Sequence, residues 1–111
     1  MKVILDTDPG IDDALAFILL KAMPEISLQA ITTTHGNTTV AKCTDNALKL
    51  VELLGMQDIP VAVGAHEPLV KALSVAEETH GDTGLGHHAG VGKAAFEPIE
   101  FHTPCFGEVF P

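Results

Sequence analysis

The chain has 111 residues, of which 46% are hydrophobic, and it carries 15 acidic against 6 basic side chains, a formal net charge of −9. This length allows one small domain with a modest core, and the hydrophobic content argues against disorder. The negative charge argues against binding to nucleic acid or an anionic membrane. The two cysteines lack CxxC spacing and no apolar run reaches membrane-spanning length, so we expect a soluble protein of the reducing cytoplasm.

A short apolar segment, Val3-Ile4-Leu5, predicts the first strand, and four aspartates follow it in the run Asp6-Thr7-Asp8-Pro9-Gly10-Ile11-Asp12-Asp13. Alternation along a strand places Asp6 and Asp8 on one face and Thr7 on the other. Pro9 then ends the hydrogen-bonded ladder and Gly10 permits a sharp turn. We call residues 6–13 the acid turn.

The segment from Asp12 to Ala22 predicts a helix with acids in its first turn, where the helix dipole favours negative charge. Acids from the strand end and the helix start therefore converge on a small volume. Mutual repulsion makes this costly unless a cation is present, and oxygen ligands favour calcium or magnesium over zinc. The alternative is that Asp12 caps the helix while the other acids are solvated turn residues.

Two further strands and one further helix are predicted along the chain. Ser27 to Thr34 predicts a strand that ends in the polar turn His35-Gly36-Asn37, Thr39 to Leu54 has helical apolar spacing, and Ile59 to Val63 predicts a third strand. This alternation indicates an α/β fold with a parallel sheet and right-handed crossovers. Ligands of such sheets bind beyond the carboxyl ends of the strands, where Asp8 and Asn37 are expected.

The regular pattern weakens after the third strand. A short helix is predicted around Val70 to Glu77, followed by a glycine-rich loop from His80 to Gly92 and an irregular segment from Lys93 to Pro111. We therefore expect one partial α/β domain over residues 1–111, regular over about 1–90, whose third strand leaves an open sheet edge.

Three motifs together resemble one enzyme family, the inosine-uridine preferring nucleoside hydrolases. They are the run from Asp6 to Ala14, which is similar to the family's DxDPGxDDA signature, the segment Thr33-Thr34-His35-Gly36-Asn37, and the loop His80-Gly81-Asp82-Thr83-Gly84-Leu85-Gly86. The resemblance covers roughly residues 1–90. It implies a Rossmann-like, open and mainly parallel sheet with flanking helices, and hydrolysis of the N-glycosidic bond of ribonucleosides.

The resemblance also implies a calcium ion at the strand ends. Asp8 would bind this ion and act as the general base that activates the attacking water, Asp13 would bind it through both carboxylate oxygens, and Asp6 would support these ligands from behind. Such chemistry is consistent with the residues, because a pocket of carboxylates stabilises the positive charge that develops on the sugar.

The substrate implied by the resemblance is a small-molecule nucleoside, in purine or pyrimidine salvage. Asp12 would hydrogen-bond a ribose hydroxyl, Asn37 would contact the ribose, and His80 would lie near the nucleoside pocket. The resemblance also implies a homo-oligomer for the full-length protein, and members of the family are much longer than this chain. We therefore expect an N-terminal portion of the family fold with about half of a calcium coordination shell.

Two alternatives remain open. The first is a truncated, inactive relative that serves only as a binding or structural remnant. The second, which is weaker, is a phosphatase with a DxD nucleophile, because Pro9-Gly10 stands where such enzymes usually carry Gly-Thr or a β-branched residue.

Overall fold

The computed structural model describes residues 1–86 and 98–100. The end of the predicted glycine-rich loop and most of the segment from Lys93 to Pro111 lie outside these residues. Within the described part, the chain forms in order β1 (Lys2–Thr7), α1 (Ile11–Ala22), β2 (Ser27–Thr33), α2 (Val40–Leu53), β3 (Val61–Val63), α3 (Glu77–His80) and β4 (Ile99–Glu100).

The strands form one parallel sheet in the order β1-β2-β3-β4. This confirms the predicted α/β class and parallel sheet. Asp6 pairs with Thr32 and Thr7 with Thr33, so β1 and β2 end at the same edge. The structure also places β4 on the open side of β3, in a segment from which no strand was predicted. A strand of two residues is too short to show an alternating pattern.

The predicted helix around Val70 to Glu77 is wrong, because the structure has α3 at Glu77–His80 instead. Short helices depend on packing of an apolar face. Val70 is 92% exposed and so has no such packing. The chain is instead fixed at Ala76, whose N–H donates to the Asn37 carbonyl oxygen at 2.9 Å. The helical turn starts directly after this bond.

The core lies where α1 and α2 pack on β2 and β3. Its largest members are Phe17 of α1, Ile31 of β2 and Val51 of α2, all fully buried. The predicted second helix is confirmed within one residue at each end, with the Thr39 side chain accepting a hydrogen bond from the Lys42 N–H as N-cap. None of the helices in residues 1–86 is long and apolar enough to cross a membrane.

Candidate functional site

The acid turn and the turn after β2 meet at the carboxyl ends of the strands. The Asn37 N–H donates to Asp8 Oδ2 at 2.8 Å, and Asn37 Nδ2 donates to the Asp8 carbonyl oxygen at 2.9 Å. A Cβ atom on Gly36 would overlap the Asp8 carboxylate, so a residue without a side chain is needed for this approach. The structure therefore brings Asp8 and Asn37 into direct contact, although they are far apart in sequence.

Three donors orient the carboxylate of Asp13. Thr7 Oγ1 donates to Asp13 Oδ1 at 2.7 Å, and the Gly10 N–H donates to Asp13 Oδ2 at 3.1 Å. Asn37 Nδ2 reaches the same oxygen at 3.3 Å. Asn37 thus contacts both Asp8 and Asp13, and the acids from the strand end and the helix start share one amide. Since a carboxylate has about four acceptor positions, Asp13 retains capacity for a further ligand.

His80 reaches the same place from α3. Its Nδ1 accepts a hydrogen bond from the Ile11 N–H at 3.2 Å. The ring lies over Gly10, where a Cβ atom would be 2.6 Å from His80 Nδ1 and 2.7 Å from Asn37 Nδ2. Gly10 is therefore the point at which His80 and Asn37 approach the start of α1.

The other two acids have different surroundings. Asp12 is exposed in the first turn of α1, and the N-cap of this helix is Gly10, so Asp12 does not cap it. Asp6 is also exposed, and its Oδ1 accepts a hydrogen bond from Thr32 Oγ1 at 2.6 Å. The structure thus groups Asp8, Asp13, Asn37 and His80, while Asp6 bonds to the neighbouring strand.

The negative charges of Asp8 and Asp13 also act on Cys43 of α2. The pKa of the Cys43 thiol is raised from 9.0 to about 11, mainly because burial disfavours the thiolate. Backbone hydrogen bonding at Thr38 opposes this rise, and the charges of Asp8 and Asp13 add to it. Among residues 1–86, no Lys or His forms an ion pair with Asp8 or Asp13. Their charges are therefore without a cationic protein partner in this part of the chain.

The donor set at this edge suits a hard cation in its chemistry, since carboxylate, hydroxyl and carbonyl oxygens line it. Asp8 Oδ1 accepts no hydrogen bond from the described residues, which leaves it available. The set is incomplete for calcium, which takes about 6–8 oxygen ligands. The described part of the chain contains no group of three or more His, Cys, Asp or Glu side chains that could hold a metal.

Two residues of this region were not singled out from the sequence. Thr7 orients Asp13, and Asn46 donates through Nδ2 to the carbonyl oxygens of Pro9 at 3.1 Å and Thr83 at 2.6 Å. Strand alternation predicted that Thr7 and Asp6 point to opposite faces. It could not predict that the partner of Thr7 is Asp13, which comes from α1. The sequence does mark Asn46 as unusual, because it is a polar residue within the apolar stripe of α2.

Comparison with known proteins identifies the family. Residues 3–104 match the family described as inosine-uridine preferring nucleoside hydrolase. The chain is 47% identical over 100 residues to a pyrimidine-specific ribonucleoside hydrolase, RihA, of Photobacterium profundum, covering 90% of this chain and 32% of the relative. It is 47% identical over 85 residues to the inosine-uridine preferring nucleoside hydrolase of Crithidia fasciculata, covering 77% of this chain and 27% of the relative. The chain therefore belongs to the nucleoside hydrolase family.

Solved structures agree with this assignment. The fold matches a plant nucleoside hydrolase, PpNRh1, with a TM-score of 0.82 and 42% identity, over 88% of this chain and 31% of that structure. It matches an inosine-guanosine nucleoside hydrolase with a TM-score of 0.77 and 36% identity, over 88% of this chain and 30% of that structure. The chain thus spans about a third of the length of these relatives, and it has the fold of their matching portion.

Proposed function

We propose that this chain carries the calcium- and ribose-binding part of an enzyme that hydrolyses the N-glycosidic bond of ribonucleosides to a base and ribose. The observation that supports this most directly is the contact of Asn37 with both Asp8 and Asp13 at the carboxyl ends of the strands. The relatives are named as ribonucleoside hydrolases, which supports the same reaction class.

The negative charge at this edge of the sheet suits the proposed reaction. Cleavage of a glycosidic bond builds positive charge on the sugar, and fixed carboxylates lower the energy of that transition state. Asp13 is fixed by its three donors, so little reorganisation is needed when the charge develops. Asp12 is exposed beside it and is proposed to accept a hydrogen bond from a ribose hydroxyl.

Asp8 is proposed as the general base. Its Oδ2 is held by the Asn37 N–H at 2.8 Å, which fixes the orientation of the carboxylate while Oδ1 stays available to take a proton from water. Asn37 is proposed to contact the ribose as well, because its side chain lies between the two acids. His80, over Gly10, is proposed to lie at the nucleoside pocket.

Asp8 and Asp13 would hold the calcium ion, and Asp6 would support them through its place in the sheet. The ion, when bound, supplies positive charge that orients the sugar hydroxyls and makes water more acidic. The remaining oxygen ligands would come from outside the described residues. We further propose that residues 1–111 form one partial α/β domain of a cytoplasmic, homo-oligomeric enzyme of nucleoside salvage.

Titration of calcium chloride into the chain, followed by calorimetry and by melting temperature, tests the proposal. We expect binding and a higher melting temperature for the unaltered chain, because a ligand that binds only the folded state stabilises it. Asp8→Ala should abolish both effects. Thr7→Val should weaken binding by about tenfold, because it removes one oriented hydrogen bond to Asp13.

The matched control is Asp58→Asn, which removes one exposed carboxylate from the loop before β3, at the opposite end of the sheet. It should bind calcium as the unaltered chain does. Release of base from inosine and uridine is then assayed with calcium present. Binding without turnover would favour the inactive remnant, whereas no calcium binding by the unaltered chain would contradict the proposed site.

A further inference from the structure

We propose that Asn46 is a positioning residue that links the acid turn to residues 80–86, here called the glycine loop, and thereby holds His80 over Gly10. The relevance of this link to catalysis rests on the proposed function. The link itself does not, since it consists of contacts within the chain.

Asn46 is 2% exposed on α2, and its Nδ2 donates to two backbone carbonyl oxygens. One belongs to Pro9 in the acid turn and the other, at 2.6 Å, belongs to Thr83 in the glycine loop. Both N–H bonds of the amide are therefore used by segments that are far apart in sequence. Removing this donor would take the hydrogen bond from the buried Pro9 carbonyl and from the part-buried Thr83 carbonyl, which is more costly than losing an exposed hydrogen bond.

The glycine loop packs directly on this amide. A Cβ atom on Gly84 would be 3.0 Å from Asn46 Nδ2, 3.2 Å from Thr38 Cγ2 and 3.3 Å from the Pro9 carbonyl oxygen. Gly84 also has a φ of 86°, which side chains of L residues rarely adopt. A side chain at Gly84 would therefore crowd the contact between loop and turn, in which Asn46 takes part.

His80 is held from two sides: the Ala76 N–H donates to the Asn37 carbonyl oxygen before α3, and the glycine loop follows α3. The Gly86 N–H donates to the His80 carbonyl oxygen at 2.7 Å and closes the loop onto the end of α3. The ion pair of Lys42 with Asp82 at 2.8 Å joins the loop to α2, but it is exposed and such pairs contribute little. Among the described residues, Asn46 therefore joins the loop to the acid turn from a buried position, whereas the direct Ile11–His80 bond is exposed.

Amide hydrogen exchange on the unaltered chain, Asn46→Asp and Asn46→Ala tests the link. Aspartate keeps nearly the same shape but, when ionised, cannot donate to either carbonyl. We expect exchange of the Ile11 and Gly86 amides to become about tenfold faster relative to the Ile31 amide, whose bond to the Pro60 carbonyl reports on the core. The ring ¹⁵N signals of His80 should also change, because Nδ1 loses its fixed donor.

The matched control is Thr44→Val, which removes another buried polar group from the same helix. Thr44 bonds to Val40 and Thr33 and not to the glycine loop. It should lower overall stability while leaving the relative exchange of Ile11 and Gly86 and the His80 signals unchanged. Gly84→Ala disturbs the same contact from the loop side, so it should reproduce the effects of Asn46→Asp if that variant does not fold.

Three results would overturn the inference. They are unchanged exchange and His80 signals in Asn46→Asp, the same changes in Thr44→Val, and failure of both the Asn46 and Gly84 variants to fold, which would make the contact a requirement of the whole fold. None of these measurements uses calcium or a nucleoside. A chain that neither binds calcium nor hydrolyses nucleosides would therefore contradict the proposed function and leave this inference standing.

Discussion

At the scale of single residues, the four aspartates of the acid turn differ in what surrounds them. Asp13 has three donors, Asp8 has one on its carboxylate, Asp6 bonds to a threonine of the neighbouring strand, and Asp12 is exposed. Their spacing in the sequence predicted that they would lie near the strand end. It could not predict these environments, because each depends on which backbone N–H or hydroxyl a distant segment supplies.

The buried thiol of Cys43 allows a test of how the surroundings of a residue change its pKa. Burial raises its pKa from 9.0 to about 11, whereas the thiol of the unfolded chain ionises at its ordinary pKa. Between pH 9.0 and about 11 the unfolded state therefore binds fewer protons than the folded state, and stability falls as pH rises. In a Cys105→Ser background, we expect the free energy of unfolding to be unaffected by Cys43 below pH 9.0. It should fall by about 2–3 kcal/mol as pH rises toward the folded pKa.

The measurement is urea denaturation at a series of pH values, compared with the same background carrying Cys43→Ala. Other groups titrate in both proteins, so their contribution cancels in the comparison. A fall of equal size in both proteins would show that the Cys43 thiol is not the group responsible.

At the scale of elements, α1 has one buried and one exposed apolar side. Phe17 is 0% exposed and belongs to the core, whereas Leu19, two residues later, is 59% exposed. Both sides read as apolar in the sequence, so periodicity alone did not distinguish them. Packing decides, because Phe17 belongs to the core cluster with Ile31 and Val51, and Leu19 does not.

We predict that Phe17→Ala and Leu19→Ala differ strongly in their effect on stability. Phe17→Ala should lower the free energy of unfolding by about 3–5 kcal/mol, because it leaves a cavity in the core. Leu19→Ala should change it by about 0.5 kcal/mol or less, as is usual for exposed positions. Urea denaturation of both variants measures this, and a similar loss in both would contradict the orientation of α1.

The elements also show where sequence patterns were sufficient. α2 was predicted closely because its apolar stripe is a local signal of the sequence. α3, with four residues, and β4, with two, were not predicted, because they are too short to show a periodic pattern. Each forms through contacts with other segments. Length and locality therefore separate the elements that were predicted from those that were missed.

At the scale of the whole molecule, the excess of acidic side chains should oppose folding. The formal charge of −9 is more concentrated in the compact state than in the unfolded chain. We expect sodium chloride to raise the melting temperature as its concentration rises from about 0.01 M to about 0.15 M, since the Debye length falls from about 30 Å to about 8 Å. A gain of about 1 kcal/mol corresponds to roughly 4–8 °C for a domain near this size.

Differential scanning calorimetry with sodium chloride and with choline chloride checks this expectation. Screening depends on ionic strength and not on the identity of the monovalent cation, so the two salts should act equally. A fall in melting temperature, or an effect of sodium chloride alone, would contradict the view that general repulsion is the cause.

The sequence by itself determined the α/β class, the order of the main elements and the family, because alternating apolar patterns and contiguous motifs are local properties of the chain. It also determined that acids and an amide would follow strands whose ends meet. Tertiary structure alone decided that Asn37 joins Asp8 to Asp13, that Thr7 orients Asp13, and that Asn46 links the acid turn to the glycine loop. These contacts join residues distant in sequence, and their partners are selected by packing and by the need to pair buried polar groups.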